Sequence, residues 1–235
     1  VTMIDEIFRA AGEHSFACGN IGVPVVSCAD KLGYDDIAVM EVSSFQLETL
    51  SSIRPHVAVV TNIAEDHLDR HYSMENYIFL KSKLLRNMRE SEFAVLNYDD
   101  PTVRSFAKDA RCAVRYFSVR ERVEGAYLYD GGLYFENEKI ADVSSLSLKG
   151  EHNVKNALAA ICAAKLMGVE SGVIAQALAT MRGVRHRIEW VGEVNGVAYI
   201  DDSKGTNVDA TLNAVSCMEA DTVLLLGGKD KGNDY

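Results

Sequence analysis

Short apolar runs bounded by polar turns recur along the chain, at 37–42 (IAVMEV), 57–61 (VAVVT), 93–97 (FAVLN) and 223–226 (VLLL). Runs that are apolar almost throughout, rather than at alternate positions, predict strands buried on both faces. Helix-period patterns lie between them. One spans 74–88. Another spans 153–167, is rich in Ala and Leu, and has Gly168 placed to stop it. A third spans 170–181. Alternation of buried strands with helices predicts an α/β fold, a mostly parallel sheet flanked by helices. The stretch 127–143 differs: short alternating pieces around Gly131-Gly132 read as a β-hairpin. From Ile188 the pattern restarts as a strand, a turn at Asn195-Gly196, a second strand (VAYID), a loop, a helix and the 223–226 run. A boundary near Gly183 divides the chain into units 1–183 and 184–235, and the second is short for an α/β domain.

Composition changes this picture little. The 235 residues are 48% hydrophobic and 25% charged, which excludes a wholly disordered chain. No apolar stretch approaches the roughly 20 residues of a bilayer-spanning helix. A net charge of −10 disfavours sequence-independent nucleic-acid binding, because the phosphate backbone would be repelled. Small anionic ligands remain possible where local cations, helix N-termini or Mg²⁺ receive them. The five cysteines are odd in number, widely spaced and without a C-x-x-C, which suits a reducing compartment and suggests neither a disulfide framework nor a zinc site. No signal peptide is evident, and a chain opening on Val1 is expected to be a piece of a longer protein.

Polar residues gather where the predicted strands end, the edge at which open α/β sheets bind ligands. Glu41 to Glu48 (EVSSFQLE) leaves the first strand, and its serines read equally well as a helix cap. Asn62 to His71 (NIAEDHLDRH) follows the second strand. A carboxylate with a neutral imidazole can hold a divalent ion, and Mg²⁺ needs only one or two protein ligands; a solvated acidic loop explains the same residues. Lys81 sits on the next helix, as an ordinary surface lysine or, carbamylated, as an anion assisting Mg²⁺. Asn153 and Asn156 share a face near a helix start and either cap it or bind a ligand's polar atoms. Arg187 (HRIE) offers a fork for phosphate or for an interdomain ion pair. Asp202 to Asn207 (DSKGTN) suits ribose hydroxyls and an anion, or a plain capped turn. Gly227 to Gly232 (GGKDKG) is a glycine loop with lysines that suit a carboxylate. No G-x-x-x-x-G-K-[ST] loop occurs in the 235 residues.

These segments, with GNIGVP at Gly19, NYIFLKSK at Asn76 and GEHNVKNALAA at Gly150, stand in one order over nearly the whole chain. In that order they resemble the Mur ligases of peptidoglycan synthesis. The Phe45-Gln46 pair and the DSKGTN run point to the branch that adds D-glutamate to UDP-N-acetylmuramoyl-L-alanine. The resemblance implies a three-domain enzyme in which 1–183 is most of a central ATP-binding domain and 184–235 the start of an amino-acid-binding domain. The phosphate loop, the UDP-binding domain and the end of the last domain are missing, so the chain alone is expected to be inactive. The implied chemistry is ADP-forming amide ligation through an acyl phosphate, with ATP and two Mg²⁺ sites, in a cytoplasmic bacterial monomer without nucleic-acid or membrane partners. By motif, Glu41, His67 and a carbamylated Lys81 would form the catalytic metal site. Asn153, Asn156, Arg187 and Asp202 would bind ATP. Asn20 would contact the UDP substrate, and Thr206 and Lys231 the D-glutamate carboxylates. Lys83 competes with Lys81 for the carbamate, although the motif register favours Lys81. The competing expectations are a non-catalytic nucleotide-binding module and a sister Mur ligase or folylpolyglutamate-type synthetase.

Overall fold

The computed structural model describes residues 1–206, 208–218 and 220–228. In chain order, helix α1 (Thr2–Ala10) leads into β1 (Ser15–Gly19), α2 (Val25–Cys28), β2 (Ile37–Glu41), α3 (Ser44–Thr49) and β3 (Val57–Val60). Then come α4 (Leu68–His71), α5 (Met74–Ser82), β4 (Phe93–Asn97), α6 (Pro101–Ser105) and β5 (Ala113–Ser118). Strands β6 (Gly125–Tyr129), β7 (Gly132–Phe135) and β8 (Glu138–Asp142) precede α7 (Glu151–Leu166) and α8 (Ser171–Thr180). The hairpin β9 (Glu189–Val194) and β10 (Val197–Asp201) and helix α9 (Val208–Ser216) complete the described elements.

The main sheet has six strands in the order β3-β4-β5-β6-β7-β8. The pairs from β3 to β6 are parallel, and β7 and β8 fold back antiparallel. Strands β1 and β2 form a separate parallel pair. The α/β expectation therefore holds, with an antiparallel edge where the hairpin was expected.

Side-chain alternation explains how β3 and β4 serve two cores. Ala58, Val60, Ala94 and Leu96 face one cluster with Leu85, Met88, Val103 and Phe106. Val57, Val59 and Val95 face the other, which contains α1, α7 and α8. A strand covered on both faces is apolar at successive positions, which is why β4 reads FAVL before it ends at Asn97, whose amide donates to the Thr61 carbonyl. Helix α7 lies against this second face with Ala157 to Ala164 all buried.

Four details differ from the expectations. The 74–88 helix ends at Ser82 and tightens into a 3₁₀ turn at Lys83–Leu85, which carries Leu85 and Met88 into the core. Helix α7 begins at Glu151, with Gly150 as its cap, so neither Asn153 nor Asn156 caps it. The Gly131-Gly132 turn is centred one residue earlier, on Asp130 (φ 45°) and Gly131 (φ 70°). The 223–226 run forms no strand: no described strand pairs with it, and Val223 and Leu225 are almost fully exposed. An apolar run gains nothing from extended geometry without a ladder partner and a face to bury.

Candidate active site

Glu41 is the last residue of β2, paired across the ladder with Gly19. Gly19 has φ 102°, and a β-carbon there would stand 2.3 Å from the Glu41 carbonyl oxygen. Only glycine allows that approach. The next residue then closes on Glu41 twice: the Asn20 backbone N–H donates to the Glu41 carbonyl at 2.8 Å, and the Asn20 amide donates to Glu41 Oε1 at 2.9 Å. Asn20, expected to meet the substrate, thus holds the carboxylate of another predicted site residue.

The serines after Glu41 do cap a helix. Ser43 accepts from the Gln46 N–H at 3.3 Å, and the Gln46 side chain accepts from the Ser43 N–H at 2.9 Å, a complete capping box. This box turns Phe45 outward and Ser44 inward.

His67 follows β3 in the left-handed region (φ 58°), and Tyr72 closes the single turn of α4 in the same region (φ 67°). Non-glycine residues held there cost energy that the surroundings must offset, and such strain concentrates at functional sites. The Phe45 ring lies 4.8 Å from the His67 ring and 5.2 Å from that of His71. Lys81, on α5, is half-buried with Nζ 4.9 Å from the Tyr77 ring centroid. Lys83 is engaged elsewhere, donating to the Leu47 carbonyl and, at 3.0 Å, to the Glu48 carbonyl at the end of α3.

Taken singly, the donors suit Mg²⁺: Glu41, oriented by Asn20, offers the hard oxygen that ion prefers. His67 is the softer second donor. Beside them, Arg70 grips Glu48 through two bonds of 3.3 and 2.8 Å, and this contact holds the Glu48 carboxyl below the usual carboxylate range.

The residues expected to bind nucleotide gather around His152, near the start of α7. His152 is half-buried, and burial first, then the nearby Arg187 charge, push its pKa down, with Asp202 opposing. Arg187 is exposed, while Asp202 Oδ1 accepts from the Ile188 N–H at 3.0 Å. The Asn153 amide donates to the Lys149 carbonyl at 2.7 Å, and Asn156 is exposed one turn later. Thr206 is exposed in the loop before α9. Lys231 lies outside the described residues.

His152 and Cys217, whose Sγ is 3.7 Å from the His152 ring, were not among the expected site residues. Nor were Ser44, His71 and Tyr77. The i,i+4 spacing of His67 and His71 was the signal available for the last group. His186, Glu189 and Asp201 bring ligand atoms within 4.8 Å of one another, a trio of the kind a metal requires. Its oxygens already accept hydrogen bonds from His186: the ring donates to Asp201 at 2.7 Å, and the backbone N–H to Glu189 at 2.6 Å. The His186 contact holds the Asp201 carboxyl down to about 2.

The Mur ligase middle domain matches residues 2–164. This chain belongs to the Mur ligase family. Among curated Mur ligases, the UDP-N-acetylmuramoylalanine--D-glutamate ligase of Thermoanaerobacter sp. (strain X514) is 44% identical over 239 residues, covering all of this chain and 53% of that protein. The enzyme of the same name from Pelotomaculum thermopropionicum is 46% identical, again over the whole chain and 52% of its own length. The chain thus spans about half the length of the curated relatives it matches. Among solved Mur ligases, MurF from Acinetobacter baumannii superposes with a TM-score of 0.74 at 20% identity, covering 92% of this chain and 51% of MurF. MurF from Thermotoga maritima in complex with ADP gives 0.69 at 19% identity, covering 92% of this chain and 53% of that one. At those identities the likeness concerns the fold.

Proposed function

We propose that this chain supplies the central domain, 1–183, and the start of the following domain, 184–235, of a cytoplasmic ATP-dependent ligase that adds D-glutamate to UDP-N-acetylmuramoyl-L-alanine. The substrate assignment is supported by whole-chain identity to ligases of that name. The mechanism is supported by one observation above the others. Glu41 and His67 each leave the carboxyl end of a strand in a parallel pair, Glu41 with its carboxylate already held by Asn20.

In the proposed reaction the substrate's alanyl carboxylate attacks the γ-phosphorus of ATP, releasing ADP and forming an acyl phosphate. The amine of D-glutamate then attacks the acyl carbon, phosphate leaves, and the amine's proton is lost to solvent. Glu41 and His67 would hold Mg²⁺, with Lys81 as a carbamate beside them. When bound, the ion neutralises charge developing on phosphoryl oxygens. Arg187 would receive the γ-phosphate, Asp202 the ribose, and Asn153 and Asn156 the adenine side. Thr206 and Lys231 would take the D-glutamate carboxylates. Both steps build charge on oxygen, so fixed cations and positioning carry the catalysis.

In the full-length protein, Glu41→Ala and His67→Ala are each expected to lower ligation by at least about a thousandfold while the circular dichroism spectrum and melting temperature stay near wild type. Turnover within tenfold of wild type in either variant refutes the assignment.

A further inference from the structure

His71 is the most enclosed ionisable side chain near the proposed metal site, with 1% of its surface exposed. Its ring is stacked between two others: Phe45 at 5.2 Å and 27°, and Tyr77 at 5.3 Å and 23°. One ring nitrogen is hydrogen-bonded, and the other faces a carboxylate at longer range. Nε2 lies 2.9 Å from Ser44 Oγ, and Nδ1 3.6 Å from Glu48 Oε1. Its carbonyl accepts from the Asn76 amide at 3.0 Å. The same rings also meet the proposed catalytic groups. Phe45 touches His67 at 4.8 Å, and Tyr77 lies under Lys81 Nζ at 4.9 Å. His67, Phe45, His71, Tyr77 and Lys81 therefore form one contiguous cluster, in which the His67 and His71 rings also meet edge-on at 6.5 Å. The cluster joins α3, the strained turn of α4, and α5, three segments that share no strand ladder.

We propose that His71 is a positioning residue of this site: its ring keys Phe45 and Tyr77 together, so that His67 and Lys81 are presented to the metal from one rigid body. The proposal rests on the metal-site reading of Glu41, His67 and Lys81. A buried imidazole is well suited to the task. Its two faces stack on aromatic rings while Nε2 takes a polar partner, Ser44, that a phenyl ring would leave unmet, and Nδ1 faces the Glu48 carboxylate. Ser44 and Glu48 stand toward opposite ends of α3, so the imidazole meets that helix as well as the rings.

The test measures Mn²⁺ binding to the full-length protein by the electron paramagnetic resonance signal of the free ion, beside steady-state kinetics. His71→Ala is expected to weaken Mn²⁺ binding at least about tenfold, the usual consequence of removing an outer support of a metal ligand. It should lower kcat with the KM for the UDP substrate unchanged. His71→Phe, which keeps the stack but leaves Ser44 unmet, is expected to bind Mn²⁺ more tightly than His71→Ala and less tightly than wild type. Because His71 is buried, Phe45→Leu provides a second route. That ring is 40% exposed, its loss threatens the fold less, and the same weakening is expected. Unchanged Mn²⁺ affinity in Phe45→Leu and in folded His71→Ala overturns the proposal if His67→Ala weakens binding. If His67→Ala itself leaves Mn²⁺ binding unchanged, the metal-site reading fails instead.

Discussion

Gly19→Ala should separate steric contact from backbone strain at the turn that delivers Glu41. Two glycines allow the comparison. Gly12 has φ 86° and nothing within 4 Å of where a β-carbon would go; Gly19 has φ 102° and the Glu41 carbonyl oxygen at 2.3 Å. At Gly12 an alanine meets only the cost of a left-handed backbone, about 1–2 kcal/mol. Part of that is returned because alanine restricts the unfolded chain, by about 0.4–1 kcal/mol. The net loss is about 1 kcal/mol. At Gly19 the same strain applies, and the two strands must also separate by roughly 1 Å to reach ordinary contact distance. The oxygen that would be struck accepts the Asn20 N–H at 2.8 Å, so that bond, worth about 1 kcal/mol, is lost too. The expected total is about 2–3 kcal/mol. For a chain of this size the melting temperature should fall by about 8 °C for Gly19→Ala and about 3 °C for Gly12→Ala. Differential scanning calorimetry of both variants at one scan rate and pH measures this directly. Equal shifts would refute the reasoning, because they would mean that the Glu41 carbonyl does not press on position 19.

Two further outcomes follow from local chemistry. The folded-state pKa of His152 is lowered, so the native protein binds fewer protons there than the unfolded chain, and stability is lost as pH falls through 6.5 toward the depressed value. His152→Gln should therefore gain in melting temperature relative to wild type between pH 7.5 and 5.5; a difference independent of pH would exclude this account. Ser43→Ala removes one half of the capping box and is expected to cost about 1 kcal/mol in a urea titration. Gln46→Ala added to it should cost less than it does alone, and full additivity would show that the two side chains act separately.

Much of the fold was legible in the residue pattern. Strands β3 and β4 carry apolar runs because both their faces are covered, whereas β2, expected to be the same, buries only Val39 and leaves Ala38 and Met40 exposed, because it pairs with β1 alone outside the main sheet. The polar clusters at their ends were legible for the same reason: charged residues directly after a buried strand must lie at an edge of the sheet. The Asn195-Gly196 turn was equally local, since its positive φ values suit those two residues. The 223–226 run has the same composition as a buried strand and yet forms none, because pairing requires a partner that composition cannot reveal. The partnership of side chains was likewise out of reach. Asn20 stands far from Glu41 in sequence, and nothing in its motif shows that its amide turns onto that carboxylate. His71 appears in sequence as the second imidazole of an acidic loop. It becomes the centre of an aromatic stack only when α3 and α5 pack against α4, bringing Phe45 and Tyr77 to its two faces. Local propensity and burial pattern act over a few residues and so can be read along the chain, whereas a stack of rings from three segments exists only after their packing has closed the distances between them.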